Sequence, residues 1–373
     1  MRKKSSFHYD RHLFFAVLGA VIFGLFMIAS ASAVYSTIRF DDQYLFLRRQ
    51  FFFGVIPGIL AMLVLMKIDY HTWKRWAVPA FLGSLAALGL VFLPGLGTSA
   101  YGATRWLDLG IISFQPSEMA KFAIILYLAA WLSSRGRKKI GNAMEGLLPF
   151  VAVLGLMGLF IYKQPDVGTL GLIIAISFAV FFAAGASLSH ILAMAGVGAV
   201  GLFAIIKAAP YRWDRLMVFL NPELDPQGKG YQINQALIAL GSGGLFGVGL
   251  GESRQKFSYL PEPAGDSIFA IIGEELGFLG AATVVALFAF IVYRGIRIAV
   301  HAPDEFGRLL AIGIISWIGL QAVLNVGAIT GLLPLTGIPL PFISYGGTSL
   351  VFSLAAMGVL LNISSQSGVS HRA

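Results

Sequence analysis

The carboxylates and cations that stand out in this sequence sit in two short stretches, each flanked by apolar residues. The first runs Glu252-Ser-Arg-Gln-Lys-Phe-Ser-Tyr-Leu-Pro-Glu262 and continues Pro263-Ala-Gly-Asp266. Asp266 opens a long apolar run, with Arg254, Lys256 and Glu262 just before it. A carboxylate at a low-dielectric boundary has its pKa pushed up by desolvation and back down by nearby cations. Such a group can act as a general base toward a sugar hydroxyl, or ligate a divalent ion. The plainer reading of Asp266 is a helix N-cap. Glu274 and Glu275 follow roughly 12 Å along the same helix and point about 100° apart, so one partner cannot face both squarely. At membrane depth each costs about 2.5–3.5 kcal/mol and must face a cavity or a cation. Structural pairing is the plainer reading for them.

The second stretch is Gly102-Ala-Thr-Arg-Trp-Leu-Asp-Leu-Gly110 with Phe114-Gln-Pro-Ser-Glu-Met-Ala-Lys121. Arg105 beside Trp106 suits a pyrophosphate at an interface, because guanidinium reads phosphate oxygens well. It suits a simple interfacial anchor equally. Pro116 fits the first turn of a helix, and Glu118 and Lys121 can pair at i, i+3, as a clasp or as the floor of a polar cavity. The glycine-rich Gly241-Ser-Gly-Gly-Leu-Phe-Gly-Val-Gly-Leu-Gly251 is neither a Walker A loop nor a dinucleotide fingerprint. It reads as a closely packed loop, or as backbone N–H groups near a phosphate. No nucleotide cofactor is expected. With no cysteine there is no thiolate chemistry, and six scattered histidines without an HExxH-like pairing give no histidine metal site.

The elements that must position these residues are membrane helices. The chain has 373 residues, 57% hydrophobic and 12% charged, about half the charge of a soluble domain. Ten apolar stretches are long enough to span: roughly 13–34, 51–68, 75–93, 115–132, 146–163, 167–185, 188–208, 267–293, 307–330 and 345–363. The fold expected is an all-α polytopic membrane protein, one membrane domain over residues 1–373. Arg2, Lys3, Lys4 and then Ala29-Ser-Ala-Ser-Ala33 resemble a signal peptide with its cleavage site. With nine spans following, an uncleaved first helix is the simpler reading. Placing both termini in the cytoplasm puts 15 Lys and Arg inside against six in the short outer loops, as the positive-inside rule requires. The net charge of +9 is thereby explained by topology and lipid head groups, with no nucleic acid partner. Two outer segments stand out, 94–118 and about 209–265, the latter between spans seven and eight. In the long one, Tyr231 to Leu240 reads as a short helix, lying on the membrane surface or packing on the bundle. The last outer loop, Gly331 to Thr348, is apolar and rich in Pro and Gly. Non-helical backbone near membrane depth must be covered by protein, so it is expected to re-enter.

Taken together these stretches resemble the SEDS family of FtsW, RodA and SpoVE. The matching pieces are Gly102 to Gly110 with Phe114 to Lys121, Gly241 to Gly251 with Ser253-Arg-Gln-Lys256, Leu260-Pro-Glu-Pro-Ala-Gly-Asp266, Gly273-Glu-Glu-Leu-Gly277, and Thr336-Gly-Ile-Pro-Leu-Pro-Phe-Ile-Ser-Tyr-Gly-Gly347. They lie in order on a ten-span frame. The family usually carries His-Thr-Asp or His-Ser-Asp where this chain has Ala264-Gly265-Asp266, so the aspartate is kept and its polar neighbours are lost. Phe269 to Glu275 leans toward FtsW and Thr336-Gly-Ile-Pro leans toward RodA; the FtsW-like reading is favoured.

The resemblance implies a peptidoglycan glycosyltransferase of the cytoplasmic membrane that polymerises lipid II for division or cell shape. It also implies a class B penicillin-binding protein and other division or elongation proteins as partners. Asp266 is then the expected catalytic residue, as base or as ligand of Mg²⁺ or another divalent cation. Arg105, Glu118, Lys121, Arg254, Lys256 and Glu262 are the expected pyrophosphate- and sugar-binding residues. Two rivals stay open: a lipid II flippase, which needs polar residues through the whole bilayer depth, and a non-catalytic scaffold for the penicillin-binding protein. Clustering of the polar motifs at the outer rim favours the enzyme.

Overall fold

Long apolar runs must hide their backbone polar groups in helices. The computed structural model, which describes residues 9–100, 103–108, 110, 113–207, 210–221, 225, 228, 230–257 and 259–367, shows them doing so. The basic run Arg2 to Lys4, Gly102 and Arg372 lie outside the described residues. In chain order the helices are α1 (Arg11–Phe40), α2 (Leu45–Gln50), α3 (Ile56–Leu65), α4 (His71–Leu90), α5 (Pro116–Ser133), α6 (Arg137–Ile140), α7 (Leu148–Lys163), α8 (Val167–Ala183), α9 (Leu188–Lys207), α10 (Pro210–Leu220), α11 (Tyr231–Ser242), α12 (Ile268–Val300), α13 (Glu305–Ile329) and α14 (Gly347–Gln366). Each of the ten expected spans falls on a helix. Seven described helical stretches are long and apolar enough to cross a bilayer, and α8 is a shorter apolar one. The other two, α4 and α5, open with polar first turns, His71-Thr-Trp-Lys-Arg75 and Pro116-Ser-Glu-Met-Ala-Lys121. This is a polytopic helical membrane protein.

Two prolines shape the second and fifth spans. A single π-helical turn, Phe51–Val55, precedes Pro57, and another, Ala143–Leu147, precedes Pro149. Proline donates no hydrogen bond and crowds the carbonyl four residues back, so the ladder widens just upstream. The outer segment 94–118 adds something the sequence pattern did not foretell, a small antiparallel sheet of β1 (Gly97–Ala100), β2 (Ala103–Asp108) and β3 (Ser113–Phe114). The central helix is α13, which packs against α5, α8, α12 and α14 around the fully buried Trp317. Lipid-facing positions are apolar, as on α9, where Leu192, Val197 and Val200 point outward.

The expected eighth span is not one continuous helix. Gly277 leaves helical geometry at φ 68°, ψ −168° and breaks α12 into a half-helix, 268–276, and a longer remainder. The glycine-rich loop mends the break. Val248 N–H donates to the Glu274 carbonyl at 3.0 Å and Gly249 N–H to that of Glu275 at 3.1 Å; in return Phe278 N–H donates to Gly244 at 2.8 Å. A Cβ on Gly277 would lie 2.3 Å from the Gly247 nitrogen. The closely-packed-loop reading of Gly241 to Gly251 therefore describes the structure, and its amides at Val248 and Gly249 serve the helix rather than a phosphate. The later part of the 331–346 segment re-enters as expected, with Ile338, Leu340, Phe342 and Ile343 inside the bundle, while Leu332 and Gly337 stay exposed.

At the end of the bundle opposite Asp266, two polar ties close the fold. Arg294 donates twice to Asp10 Oδ2, at 2.9 and 2.7 Å, and Asp10 N–H donates to Ser364 Oγ at 3.0 Å, joining α1, α12 and α14. His71 bridges Asp69, 2.7 Å from Nδ1, and Asp304, 2.6 Å from Nε2. Partial burial works against the charged imidazole, but its hydrogen bonds to Asp69 and Asp304 and their charges outweigh it, so its pKa is raised above 6.5. For Asp69, burial works upward and is outweighed by His71 and Gln366, leaving it below 3.8.

Two predictions follow from these contacts. The raised histidine contributes stability that is complete below about pH 6.5, its unfolded pKa, and is lost as pH climbs through the folded value. Wild type minus His71→Asn melting temperature in detergent should therefore shrink on going from pH 6 to pH 9; a constant difference overturns the assignment. Gly277→Ala places a Cβ in a region open essentially only to glycine and against backbone, costing at least about 3 kcal/mol. It should give aggregated or poorly expressed protein by gel filtration.

Candidate active site

Asp266 lies where four elements converge. The half-helix of α12 starts just after it, with Ser267 as N-cap and no side-chain capping bond. Asp266 is thus one residue outside the helix, and the N-cap reading does not describe it. Its carbonyl accepts from Asn325 Nδ2 of α13 at 2.7 Å, and the same amide donates to the Ile338 carbonyl at 2.9 Å. Gly337 of the re-entrant segment faces Asp266 Oδ2. From α11, Gln232 Nε2 stands 3.5 and 3.4 Å from the two carboxylate oxygens and 3.1 Å from Ser267 Oγ. Asp266 is partly exposed.

Glu262 belongs to the same turn. It is exposed and holds φ at 49°, uncommon for a residue with a side chain. Its carbonyl accepts from Gly265 and Ser267 N–H at 3.0 and 3.3 Å, so this conformation shapes the turn that presents Asp266. Tyr345 N–H donates to the Ala264 carbonyl at 2.8 Å, and the Tyr345 hydroxyl lies near Arg49 and Glu262.

The Glu118–Lys121 pair forms as spaced, at 2.8 Å, but both side chains are almost fully buried. Lys121 Nζ also donates to Gln321 Oε1 at 2.8 Å and lies 4.9 Å from the Trp317 ring centre. Gln321 in turn donates to the Pro339 carbonyl at 2.9 Å. Gln321 and Asn325, one turn apart on α13, therefore hold the consecutive carbonyls of Ile338 and Pro339. Through them the charge pair underlies the loop that borders Asp266. Glu118 Oε2 and Asn325 Oδ1 are buried without a hydrogen-bond partner.

The remaining basic candidates are drawn elsewhere. Arg105, on β2, donates to the carbonyls of Gln164 and Pro165 and stands 3.7 Å from Asp166, tying the sheet to the α7–α8 turn. Its side chain keeps 31% exposure. Lys256 is buried at the other end of the half-helix, bonded to Glu275 at 3.0 Å, to the Gly251 carbonyl at 2.6 Å and to Ser30 of α1 at 3.3 Å. Glu274 accepts from Ser253 Oγ at 2.5 Å and Arg254 N–H at 2.9 Å. The two glutamates have separate partners, as their angular offset demanded. Glu275 lies nine residues past Asp266, about 13 Å along the chain at helical rise, so the structure sets Lys256 with Glu275 instead of in a cluster around Asp266. Arg254 is exposed.

Among the described residues no three His, Asp or Glu side chains gather as a ready-made metal cage. The donors present fit a cation held by Asp266, with Glu262 next in the same turn, and otherwise by phosphate oxygens and water, a common arrangement for Mg²⁺.

Residues 11–368 match the profile of the FtsW/RodA/SpoVE cell cycle protein family. The chain belongs to that family. This family member is 46% identical to Stage V sporulation protein E of Bacillus subtilis (strain 168), over 91% of this chain and 93% of that one. It is 44% identical to the probable peptidoglycan glycosyltransferase FtsW of Geobacter sp. (strain M18), over 96% and 97%. Among solved structures it superposes on a chain of a peptidoglycan synthase complex that coordinates polymerization and crosslinking, at a TM-score of 0.80 and 27% identity, covering 97% of this chain and 99% of that one. It also superposes on the rod shape determining protein RodA of Thermus thermophilus, at 0.71 and 28%, covering 96% and 98%.

Sequence reasoning passed over Gln232, Gln321, Asn325 and Arg49. Gln321 and Asn325 were visible as polar residues four apart in an apolar span, a pattern that marks an inward-facing site. Breaking the buried charge pair tests its place. Lys121→Met strands Glu118 and should cost about 3–5 kcal/mol, with partial recovery in the Glu118→Gln, Lys121→Met double variant; melting temperatures in detergent report both.

Proposed function

We propose that this family member polymerises lipid II into glycan strands at the outer face of the cytoplasmic membrane, with both termini cytoplasmic. Family membership supports the reaction class. The observation that carries the assignment to a residue is Asp266, a carboxylate that is partly exposed, released from helix capping, and gripped through its carbonyl by Asn325.

The 4-hydroxyl of one lipid II N-acetylglucosamine attacks the anomeric carbon of the donor N-acetylmuramic acid. Asp266 takes the hydroxyl proton as the new C–O bond forms. The anomeric C–O bond to pyrophosphate breaks, the polyprenyl pyrophosphate leaves with the electron pair, and the centre inverts. A positioned base contributes about 10²–10⁴-fold. The leaving charge needs cations close by. Arg254 and Arg105 keep exposed surface for this, while Lys121 and Lys256 are committed to Glu118 and Glu275 and act through the shape of the site. A divalent ion held by Asp266 would add charge neutralisation at the pyrophosphate. A class B penicillin-binding protein is the partner that would cross-link the product, with other division or elongation proteins around it.

The test is polymer formation on a gel from purified lipid II, with the cognate penicillin-binding protein present, with and without Mg²⁺. Asp266→Asn should abolish polymer while leaving the melting temperature within a few degrees of wild type. Equal polymer from both proteins removes Asp266 from the chemistry. No polymer from either returns the flippase or scaffold readings.

A further inference from the structure

We propose that Gln232 is a positioning residue for Asp266, so that the seating of α11 is transmitted to the reacting carboxylate. The proposal rests on Asp266 being the base assigned above.

The two ends of Asp266 are held by different elements. Asn325, rooted in α13, fixes its main chain through a 2.7 Å bond to the carbonyl. Its side chain is reached from a second element, α11. Gln232 Nε2 stands almost equally far from both carboxylate oxygens, at 3.5 and 3.4 Å, and is itself anchored at 3.1 Å on Ser267 Oγ. At these lengths the contacts are weak hydrogen bonds. The amide dipole faces both oxygens at once and so favours one orientation of the carboxylate. On another side Gly337 faces Oδ2, which narrows the directions open to an incoming hydroxyl.

Gln232 can do this only because α11 is locked to the half-helix at both ends. Near its start Gln232 bonds the Ser267 hydroxyl. Near its end Leu240 lies against Gly273, where a Cβ would meet Leu240 Cδ2 at 2.3 Å. Between them Ile233, Ala236 and Ala239 are buried, with α12 as the main neighbour of α11. A shift of α11 along this groove moves the Gln232 amide relative to the carboxylate, and a misplacement of about 1 Å near reacting atoms can cost about a hundredfold.

The experiment measures initial rates of polymerisation against lipid II concentration, with the penicillin-binding protein present, for wild type, Asp266→Asn, Gln232→Met and Gln232→Glu, with melting temperatures alongside. Gln232→Met keeps length and bulk but loses the donor. It should lower kcat by about a hundredfold with KM within about twofold and the melting temperature unchanged. Gln232→Glu can still accept from Ser267 but sets a second carboxylate against Asp266, and it should lower kcat at least as far. Wild-type kcat in Gln232→Met with an inactive Asp266→Asn overturns the positioning role alone. A raised KM with kcat preserved overturns it in favour of substrate binding. If Gln232→Met melts early, a stable Gln232→Glu with wild-type kcat overturns it and one with the kcat loss upholds it. Should both variants melt early, rates taken at a temperature where each is folded decide by the same kcat criterion. An active Asp266→Asn sinks the reading of Asp266 on which the proposal stands, whatever Gln232 does.

Discussion

A membrane helix can stop and restart only if something replaces the hydrogen bonds it gives up. In this protein the replacement is the pair of bonds from Val248 and Gly249 to the carbonyls of Glu274 and Glu275, together with the return bonds from Phe278 and Leu279 to Gly244 and Leu245. Without them the broken backbone at Gly277 would face hydrocarbon, at several kcal/mol for each unpaired group. With them α12 becomes a short half-helix whose two ends do different things. One end presents Asp266; the other packs Glu274 and Glu275 against the loop that made the break possible.

The charges in the interior follow from this. Glu274 satisfies the hydroxyl and amides of the loop at 253–255, and Glu275 neutralises Lys256, so the loop is pinned by ionic contacts as well as by its backbone. The second buried pair, Glu118 with Lys121, reaches the Pro339 carbonyl through Gln321. Two stretches of non-helical backbone, one before α12 and one before α14, thus meet at Asp266, each supported by its own ion pair. Loops carry chemistry here because helices and buried charges make them rigid.

The helices were legible in the sequence because their cause is local: twenty apolar residues fold as helix in lipid wherever they occur. The same holds for Pro116 at the start of α5 and for the spacing of Glu118 and Lys121. The break at Gly277 was hidden, since a glycine in an apolar run costs a membrane helix little by itself, and only the distant loop at 244–249 makes its unusual backbone worthwhile. The destination of Lys256 was hidden for the same reason: its nearness in sequence to Asp266 gave no hint that Glu275, nineteen positions on, would claim it. Gln232 was passed over because a glutamine on a half-buried surface helix has no pattern of its own. Its meaning comes from the 34 positions that separate it from Asp266 and that the fold brings together.

The tie at the opposite end carries a consequence for synthesis. Asp10 is made 284 residues before Arg294 and 354 residues before Ser364. Until then one carboxylate oxygen caps its own helix through Leu13 N–H at 2.9 Å and the other has water in place of the guanidinium, which holds α1 near its final depth while the later helices are inserted. The tie closes only after α12 and α14 have both been made, so a chain that stops before them cannot lock α1. Synthesis of α14 and closure of this end of the fold become the same event.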